Sequence, residues 1–545
     1  MIAIRENEVG RFIVRVVSKN SQSITGLEPD ALFELRCFTD LLINSDKKEF
    51  LTRVRGLRNH QQDSRTNPDV FSLSLTSLLG APLACFIAMH WNEKANLIIC
   101  EFELKKDVFN PRHPPDEGLP AGGPIHIIDN EAPEAERKMS TTSKSSPLHA
   151  VQVARETSRQ LGSMELFHVL CEIQNQLAAA ESLPSLLDII VGLVYELTSY
   201  HRVMVYQFDE TAAGYAVSEI MDPRASTDIY RGLKFPASDI PKQARDLYLI
   251  NKIRVLYDRD QPTARLVCRT KEDAATPLDL THSYLRAMSP IHIKYLENMG
   301  VRASMSISLT VDDKLWGLIS CHSYGNGMRV ALPVRELCRA LGDLASTNIE
   351  KLIYSTRIKA RKPLSNTPPK RSPSAYIAAS SGELLNMFGA DFGFLAIKGE
   401  ARTIGKLFAY NEAIVLLQYT REKNFTTIYS TQNLSHDCLE ISYAPGFATI
   451  AGMLVIPLSL TSPDFLVFFR KGQTMEVKWA GNPHQKKFRN GRYLEPRASF
   501  RRWSEHVVGR SREWTEDQGK SKQKVRPVYR SKKRLTNLQW SLLRC

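Results

Sequence analysis

Between Phe235 and His322 the sequence concentrates residue types that hold a planar ligand with charged edges. Phe-Pro-Ala-Ser-Asp-Ile-Pro (Phe235–Pro241) opens the stretch, and Tyr248 and Arg254 follow. Leu-Arg-Ala-Met-Ser-Pro-Ile-His (Leu285–His292), Tyr295 and Met299-Gly300 come next. Ser304, Ser306 and Leu-Trp-Gly-Leu-Ile-Ser-Cys-His (Leu315–His322) close it. One loop acid, two arginines, two histidines, several aromatics and two serines suit a pocket for a flat, conjugated molecule with carboxylate arms. Such pockets are mostly apolar, with a few placed polar groups. An independent enzyme does not fit: Cys321 and His322 are adjacent, so their side chains diverge on a strand, and no acid–base pair is evident. No catalytic residue is assigned.

The elements that must carry these residues are legible from periodicity. From Leu166, Phe167, Val169-Leu170, Ile173, Leu177, Leu183, Leu186-Leu187, Ile189-Ile190 and Leu193-Val194 recur near a period of 3.6, which predicts helix. Arg202–Phe208 alternates as a strand. Met305, Ile307 and Leu309 form the opposite face of the strand bearing Ser304 and Ser306. Tyr257–His282 reads as a long polar loop with Pro262 and Pro277, of a length usually functional or disordered. Val334 to about Ile358 reads as a long amphipathic helix, and Arg361–Ser374 as a Pro-rich linker. Upstream, Ile2 to about Asp129 reads as α+β: Phe12–Val17 alternates weakly, and Leu83–Met89 and Ala95–Leu104 form a hairpin. Ala132–Ser146 is polar and reads as a linker or mobile insertion. Downstream, Phe392–Ile397, Gly452–Pro457 and Asp464–Arg470 are the clearest strands.

The totals bound the class. A chain of 545 residues holds three to four domains at about 100–200 residues each. No apolar run of about 18 residues occurs, so no membrane span is expected, and the early charges in Ile-Ala-Ile-Arg-Glu-Asn-Glu are wrong for a secretory signal. The nine cysteines lack paired metal-ligand spacing, which predicts reduced thiols and no metal site. The net charge of +14 raises nucleic acid as a partner, but Lys520–Cys545 alone holds nine Lys/Arg and no acid. That tail reads as solvated charge, and no direct nucleic-acid binding is expected.

The Phe235–His322 stretch resembles the bilin-binding GAF domain of phytochromes, and about Ile2 to Gln518 resembles a fungal phytochrome. Trp479-Ala-Gly-Asn-Pro483 and Pro496-Arg-Ala-Ser-Phe500 carry the resemblance downstream, as the limbs of the family's tongue hairpin. The implied fold is α+β, with tandem PAS, GAF and PHY (GAF-like) domains, antiparallel sheets, long connecting helices and a PHY tongue hairpin. The expected division is PAS 1–130, linker 131–160, bilin-binding GAF 161–345, connecting helix and linker 346–374, PHY 375–518 with its tongue at 470–505, and a basic tail 519–545.

The resemblance also implies a cofactor, biliverdin or another linear tetrapyrrole, and a red/far-red photoreceptor. Arg254 and Arg286 match the clamp on its two propionates, assisted by Tyr248, Ser304 and Ser306; Ile240 and Pro241 complete the loop of Asp239. Asp239 and His292 match the residues that meet the pyrrole nitrogens, and Tyr206, Phe235, Tyr295 and His322 the walls around the rotating ring. Trp479, Arg497 and Ser499 match tongue contacts, with Arg497 bonding Asp239 in one state and releasing it in the other. The attachment cysteine has no counterpart: Ile291 stands at the plant-type position, the chain begins at the strand that the other type precedes, and Cys321 matches neither. The expectation is a chain truncated at both ends that binds non-covalently, lacks a first exon, or is an apo-protein. A homodimer through the GAF/PHY helices, a downstream histidine kinase or regulator, and a cytoplasmic, secondarily nuclear, location are implied. Competing readings are a non-photosensing scaffold, a fragment of a hybrid histidine kinase phytochrome, and a GAF sensor for another planar ligand such as a cyclic nucleotide.

Overall fold

Alternating runs rich in Val, Ile and Phe build three mostly antiparallel sheets in the computed structural model. It describes residues 1–59, 68–76, 82–105, 118–128, 133–157, 161–361, 381–397, 399–407, 409–441, 443, 446–458, 464–484, 495–512 and 514. Two compact units result. The first holds Met1–Leu352 and Lys478–Trp503; the second holds Ile353–Val477 and the chain from Ser504. Among the described residues no helix is long and apolar enough to cross a membrane.

The first sheet of the first unit contains β1 (Ile2–Glu6), β2 (Phe12–Ser18), β3 (Asp69–Thr76), β4 (Pro82–Asn92) and β5 (Leu97–Leu104). The expected hairpin of β4 and β5 is present, turned by Asn96 at φ 52°. Helix Asn44–Asn59 covers one face, where Phe50 meets Phe12 edge-on at 5.9 Å and Phe38 at 5.4 Å. The stretch expected as a linker, 131–160, carries regular structure. It contains helices Glu134–Thr141 and His149–Glu156. Acids in the first turn and Lys138 in the last favour the former, and Val151 and Ala154 bury the latter.

The second sheet runs in the order β8-β7-β6-β12-β11-β9, from β6 (Arg202–Phe208), β7 (Gly214–Met221), β8 (Lys234–Phe235), β9 (Ile253–Leu256), β11 (Ala303–Val311) and β12 (Lys314–Ser323). Between β9 and β11 the polar loop is not wholly irregular: β10 (Leu266–Cys268) pairs with β2 of the first sheet, and helix Lys271–Ala275 follows. Arg15 holds Asp273 at 2.8 Å. Composition concealed this because β10 is an edge strand with a partner some 250 positions away.

Helix Leu183–Thr198 backs the sheet; Ser182 caps it by accepting from the Ser185 N–H, and Ser199 ends it at φ 58°. Helix Leu332–Arg361 confirms the expected amphipathic helix. Gly342 lets it approach closely, since a Cβ there would lie 2.7 Å from the Ile307 Cγ2.

In the second unit the sheet order is β14-β13-β17-β16-β15, from β13 (Phe392–Ile397), β14 (Glu400–Ile404), β15 (Tyr429–Thr431), β16 (Ile450–Pro457) and β17 (Phe465–Lys471). Every residue of β16 is buried, because Met453 and Val455 face one core and Leu454 and Ile456 the other. β18 (Gln473–Ala480) and β19 (Arg502–Arg510) belong instead to the second sheet, in the order β19-β18-β8. Most of the Arg361–Ser374 linker, residues 485–494 and the basic tail lie outside the described residues.

A Cβ at Gly214, on β7, would land inside the Tyr206 ring. Gly214→Ala is expected to cost about 1–3 kcal/mol by overpacking. Urea unfolding of the variant measures this, and an unchanged midpoint would refute the packing.

Candidate functional site

Strand register decides which side chains share a face. Ser304 lies opposite His322, Ser306 opposite Arg254, and Tyr206 opposite Leu318. The two-residue period therefore sets Tyr206, Arg254, Ser304, Ser306 and His322 on one side of the sheet. Val205, Ile307, Ile319 and Cys321 take the other. Cys321 is fully buried there, and burial, with Cys338 nearby, pushes its thiol well above the usual range.

Short elements close over the polar side. Pro236 leads into the turn Ala237–Asp239, and Pro241 precedes helix Lys242–Ile250. That helix presents Tyr248, which hydrogen-bonds Ser306. Ile240 packs against the cluster of Tyr206, Tyr230, Phe235, Leu296 and Phe500. Pro290, preset for a first helical turn, opens helix Pro290–Asn298, where His292 stacks on Tyr295 at 5.8 Å and 12°. Phe235 lies 5.5 Å from Tyr206. Ile291, on the same helix, is exposed.

The two arginines have no carboxylate partner among the described residues. Arg254 donates to the carbonyls of Arg286 and Ala287, each at 2.6 Å, and Arg286 to that of Thr281 at 3.1 Å. Burial, then the like charge of Arg286, pulls the Arg254 guanidinium down to about 10, and burial lowers Arg286 as well. Burial holds His292 down at about 4, aided by Arg254. It holds His322 at about 3, aided by Arg202 and His292, and the His322 Nδ1 is buried without a hydrogen-bond partner among the described residues. Both imidazoles are thus neutral near pH 7.

Asp239 is engaged from two sides. Tyr295 donates its hydroxyl at 3.0 Å, while Arg497 donates Nε at 3.0 Å and Nη2 at 2.5 Å. Arg497 also reaches the Ala480 carbonyl and lies 4.2 Å over the Phe500 ring. Trp479 pairs in parallel with Lys234, whose ammonium sits 5.9 Å from its ring. Of Ser499 only the carbonyl meets Arg497, at 3.4 Å; its side chain is exposed.

Sequence reasoning missed Arg202. It is wholly buried, pairs with Glu219, and donates to the Tyr324 hydroxyl at 2.6 Å and the Asp228 carbonyl at 2.7 Å. The alternation that singled out Tyr206 also puts Arg202 and Met204 in phase with it, a signal that was available.

Residues 182–349 match the model of the GAF domain, and residues 364–531 match the Phytochrome region. The solved photosensory core module of a Stigmatella aurantiaca phytochrome is similar over 97% of this chain and 94% of its own, at 26% identity and TM-score 0.69. The chain has the fold of a phytochrome photosensory core. A bacteriophytochrome from R. palustris shares that fold at TM-score 0.71 and 24% identity, over 97% of this chain and 95% of its own. Among curated relatives, cyanobacterial phytochrome B of Nostoc sp. is 30% identical over 64% of this chain and 47% of its own length. A bacteriophytochrome of Pseudomonas aeruginosa is 31% identical over 61% of this chain and 46% of its own. The chain thus spans about half the length of these curated phytochromes.

A linear tetrapyrrole with two carboxylate arms fits what the phytochrome-type face offers. Arg254 and Arg286 are half-buried cations with no carboxylate in hydrogen-bond or ion-pair contact among the described residues, although Glu101 and Asp279 act on Arg286 from further off. The buried His322 Nδ1, beside aromatic walls, has no hydrogen-bond partner among those residues.

Acid should loosen this face. An unfolded histidine titrates near 6.5, whereas His292 and His322 stay neutral down to about 4 and about 3. The unfolded chain therefore binds more protons below pH 6.5. Their contribution is complete above that pH and is lost as it falls, at up to about 1.4 kcal/mol per unit for each group. Denaturant midpoints between pH 7 and 5 are expected to fall less steeply in His322→Gln; equal slopes would disprove the assignment.

Proposed function

We propose that this chain is the light-sensing module of a red/far-red photoreceptor that holds biliverdin or a related linear tetrapyrrole. The observation that carries the reading is the pair of half-buried guanidiniums, Arg254 and Arg286, with carbonyl but no carboxylate hydrogen-bond partners among the described residues. They would take the two propionates, since a guanidinium matches a carboxylate with two parallel hydrogen bonds. Tyr248, Ser304 and Ser306 stand on the same side to assist.

The chromophore's own chemistry is photoisomerisation at a methine bridge; the protein's part is binding, orientation and electrostatics. Neutral His292 and His322 present ring nitrogens that accept or donate without adding charge. Tyr206, Phe235 and Tyr295 would limit how far a terminal ring turns. Asp239 links this face to Arg497, and rearrangement of Lys478–Trp503 would carry the signal onward. The division into domains at 1–130, 161–345 and 375–518, with a tongue at 470–505, belongs to this reading. So do the fungal type, a homodimer through the long helices, a histidine kinase or other regulator as output, and a cytoplasmic location.

A second reading, a scaffold without chromophore, is favoured by one observation. Ile291 stands at the plant-type attachment position, and Cys321 faces the opposite side of the sheet.

The deciding experiment is the absorption spectrum of the chain purified after co-expression with a biliverdin source, before and after red light. A red band that shifts reversibly to far-red is expected; the spectrum of free biliverdin would favour the scaffold. Arg254→Ala and Arg286→Ala are each expected to weaken biliverdin binding about tenfold, the worth of one charge-assisted contact. Arg497→Ala is expected to leave binding near normal but to change the lifetime of the light state. Identical lifetimes would remove Arg497 from the signalling path.

A further inference from the structure

Two successive backbone N–H groups just ahead of Arg286 are held by a carboxylate from far away in the sequence. Glu101, on β5, is only 1% exposed. Its Oε1 accepts from the Tyr284 N–H at 3.1 Å, and its Oε2 from the Leu285 N–H at 2.6 Å. The next two residues, Arg286 and Ala287, supply the carbonyls that hold Arg254, each at 2.6 Å. The same loop is tied at Ser283, whose carbonyl accepts from the Asn251 amide at 2.9 Å, and at Tyr284, whose hydroxyl donates to Glu336. Two positions along β5, Glu103 takes the Tyr257 hydroxyl and the buried Arg335.

A carboxylate is a costly choice for this place: burial pushes Glu101 up to about 7, against the pull of the two N–H groups. An apolar side chain would cover the same area. Only an acceptor with two oxygens engages two adjacent N–H groups that the bent loop leaves without a strand partner.

We propose that Glu101 is a positioning residue for the ligand's carboxylate arms: it fixes the backbone from Tyr284 to Ala287, and through it the directions of both Arg286 and Arg254. The first sheet then does more than flank the second; it sets the clamp. This rests on the tetrapyrrole reading above.

The test titrates the purified chain at pH 8, where Glu101 is ionised, with biliverdin and with biliverdin dimethyl ester, whose arms carry no charge. Wild type is expected to prefer the acid by about tenfold or more. Glu101→Gln turns an amide NH₂ towards one of the N–H groups. It is expected to weaken acid binding by about five- to tenfold while ester binding holds within about twofold. Glu101→Asp, which keeps the charge but retracts it, is expected to fall between. In an Arg254→Ala/Arg286→Ala background Glu101→Gln should add almost no further loss of acid binding, because both groups it positions are gone. Wild type that binds neither ligand overturns the tetrapyrrole reading and this inference with it; wild type that binds both alike overturns the carboxylate clamp, and with it this inference, but not the tetrapyrrole reading. Wild type that prefers the acid, with Glu101→Gln losing both ligands equally or neither, overturns this inference alone. Should Glu101→Gln not fold, an unchanged acid-to-ester ratio in Glu101→Asp overturns it equally.

Discussion

A guanidinium taken out of water costs several kcal/mol unless an anion or a set of carbonyls takes the water's place. The first unit solves that problem in two ways. Arg202 meets Glu219, Arg335 meets Glu103, and Arg497 meets Asp239, so each charge is closed on a carboxylate. Arg254 meets only carbonyl dipoles, with a second cation beside it. The closed pairs join β6 to β7, β5 to the long helix, and the Lys478–Trp503 segment to the Asp239 turn. The open pair sets two guanidiniums near each other on the polar side of the second sheet, with no carboxylate in hydrogen-bond contact among the described residues. On the proposed reading, an acid-bearing ligand would be favoured there, because a neutral ligand of the same shape would leave the cations desolvated and uncompensated.

The first sheet gains its importance from the same constraint. Carbonyls hold a buried cation only if they are themselves fixed, and loop carbonyls are not fixed by a ladder. Here Glu101, Asn251 and Glu336 restrain the loop from three elements. Arg15 with Asp273, and β10 with β2, tie its upstream part to the first sheet. A loop that composition marks as polar and irregular is thereby made rigid where it approaches the arginines.

What the sequence revealed follows from what is local. The alternation in Arg202–Phe208 and Ala303–Leu309 is set by which face meets the helices, so strands, faces and most of the polar side chains upon them were legible. Pro236, Pro241 and Pro290 stand at the turn and helix starts that carry Asp239, Tyr248 and His292, a local signal that the reading of those motifs did not use. What stayed hidden depends on partners distant in the chain. Helix Glu134–Thr141 has few apolar residues, and the next residues are held by contacts such as Lys144 with Asp188 at 2.5 Å. Nothing in the run Cys-Glu-Phe-Glu around Glu101 indicates that its acid grips a loop 183 residues later. The cut between units was also invisible: sequence similarity assigns 470–505 to the last domain, whereas Lys478–Trp503 packs within the first unit.

That segment is held at a point where small changes have leverage. Asp239 is almost wholly buried, and its described partners are Arg497 and the Tyr295 hydroxyl. Removing Arg497 without a substitute would leave a buried carboxylate with one neutral donor, a loss of about 3–5 kcal/mol. Two arrangements of the segment can therefore lie within a few kcal/mol of each other only if the second supplies Asp239 with new donors or water. Tyr295 is the natural intermediary. Its ring stacks on His292, meets Phe500 edge-on at 5.2 Å, and its hydroxyl holds Asp239. A ligand ring that pushed Tyr295 aside would weaken both the carboxylate's second bond and the aromatic support of Phe500, which itself lies under the Arg497 guanidinium. Movement of one side chain then bears on two contacts of Arg497 together, those with Asp239 and Phe500, which is how a displacement of an ångström or so can bias the segment.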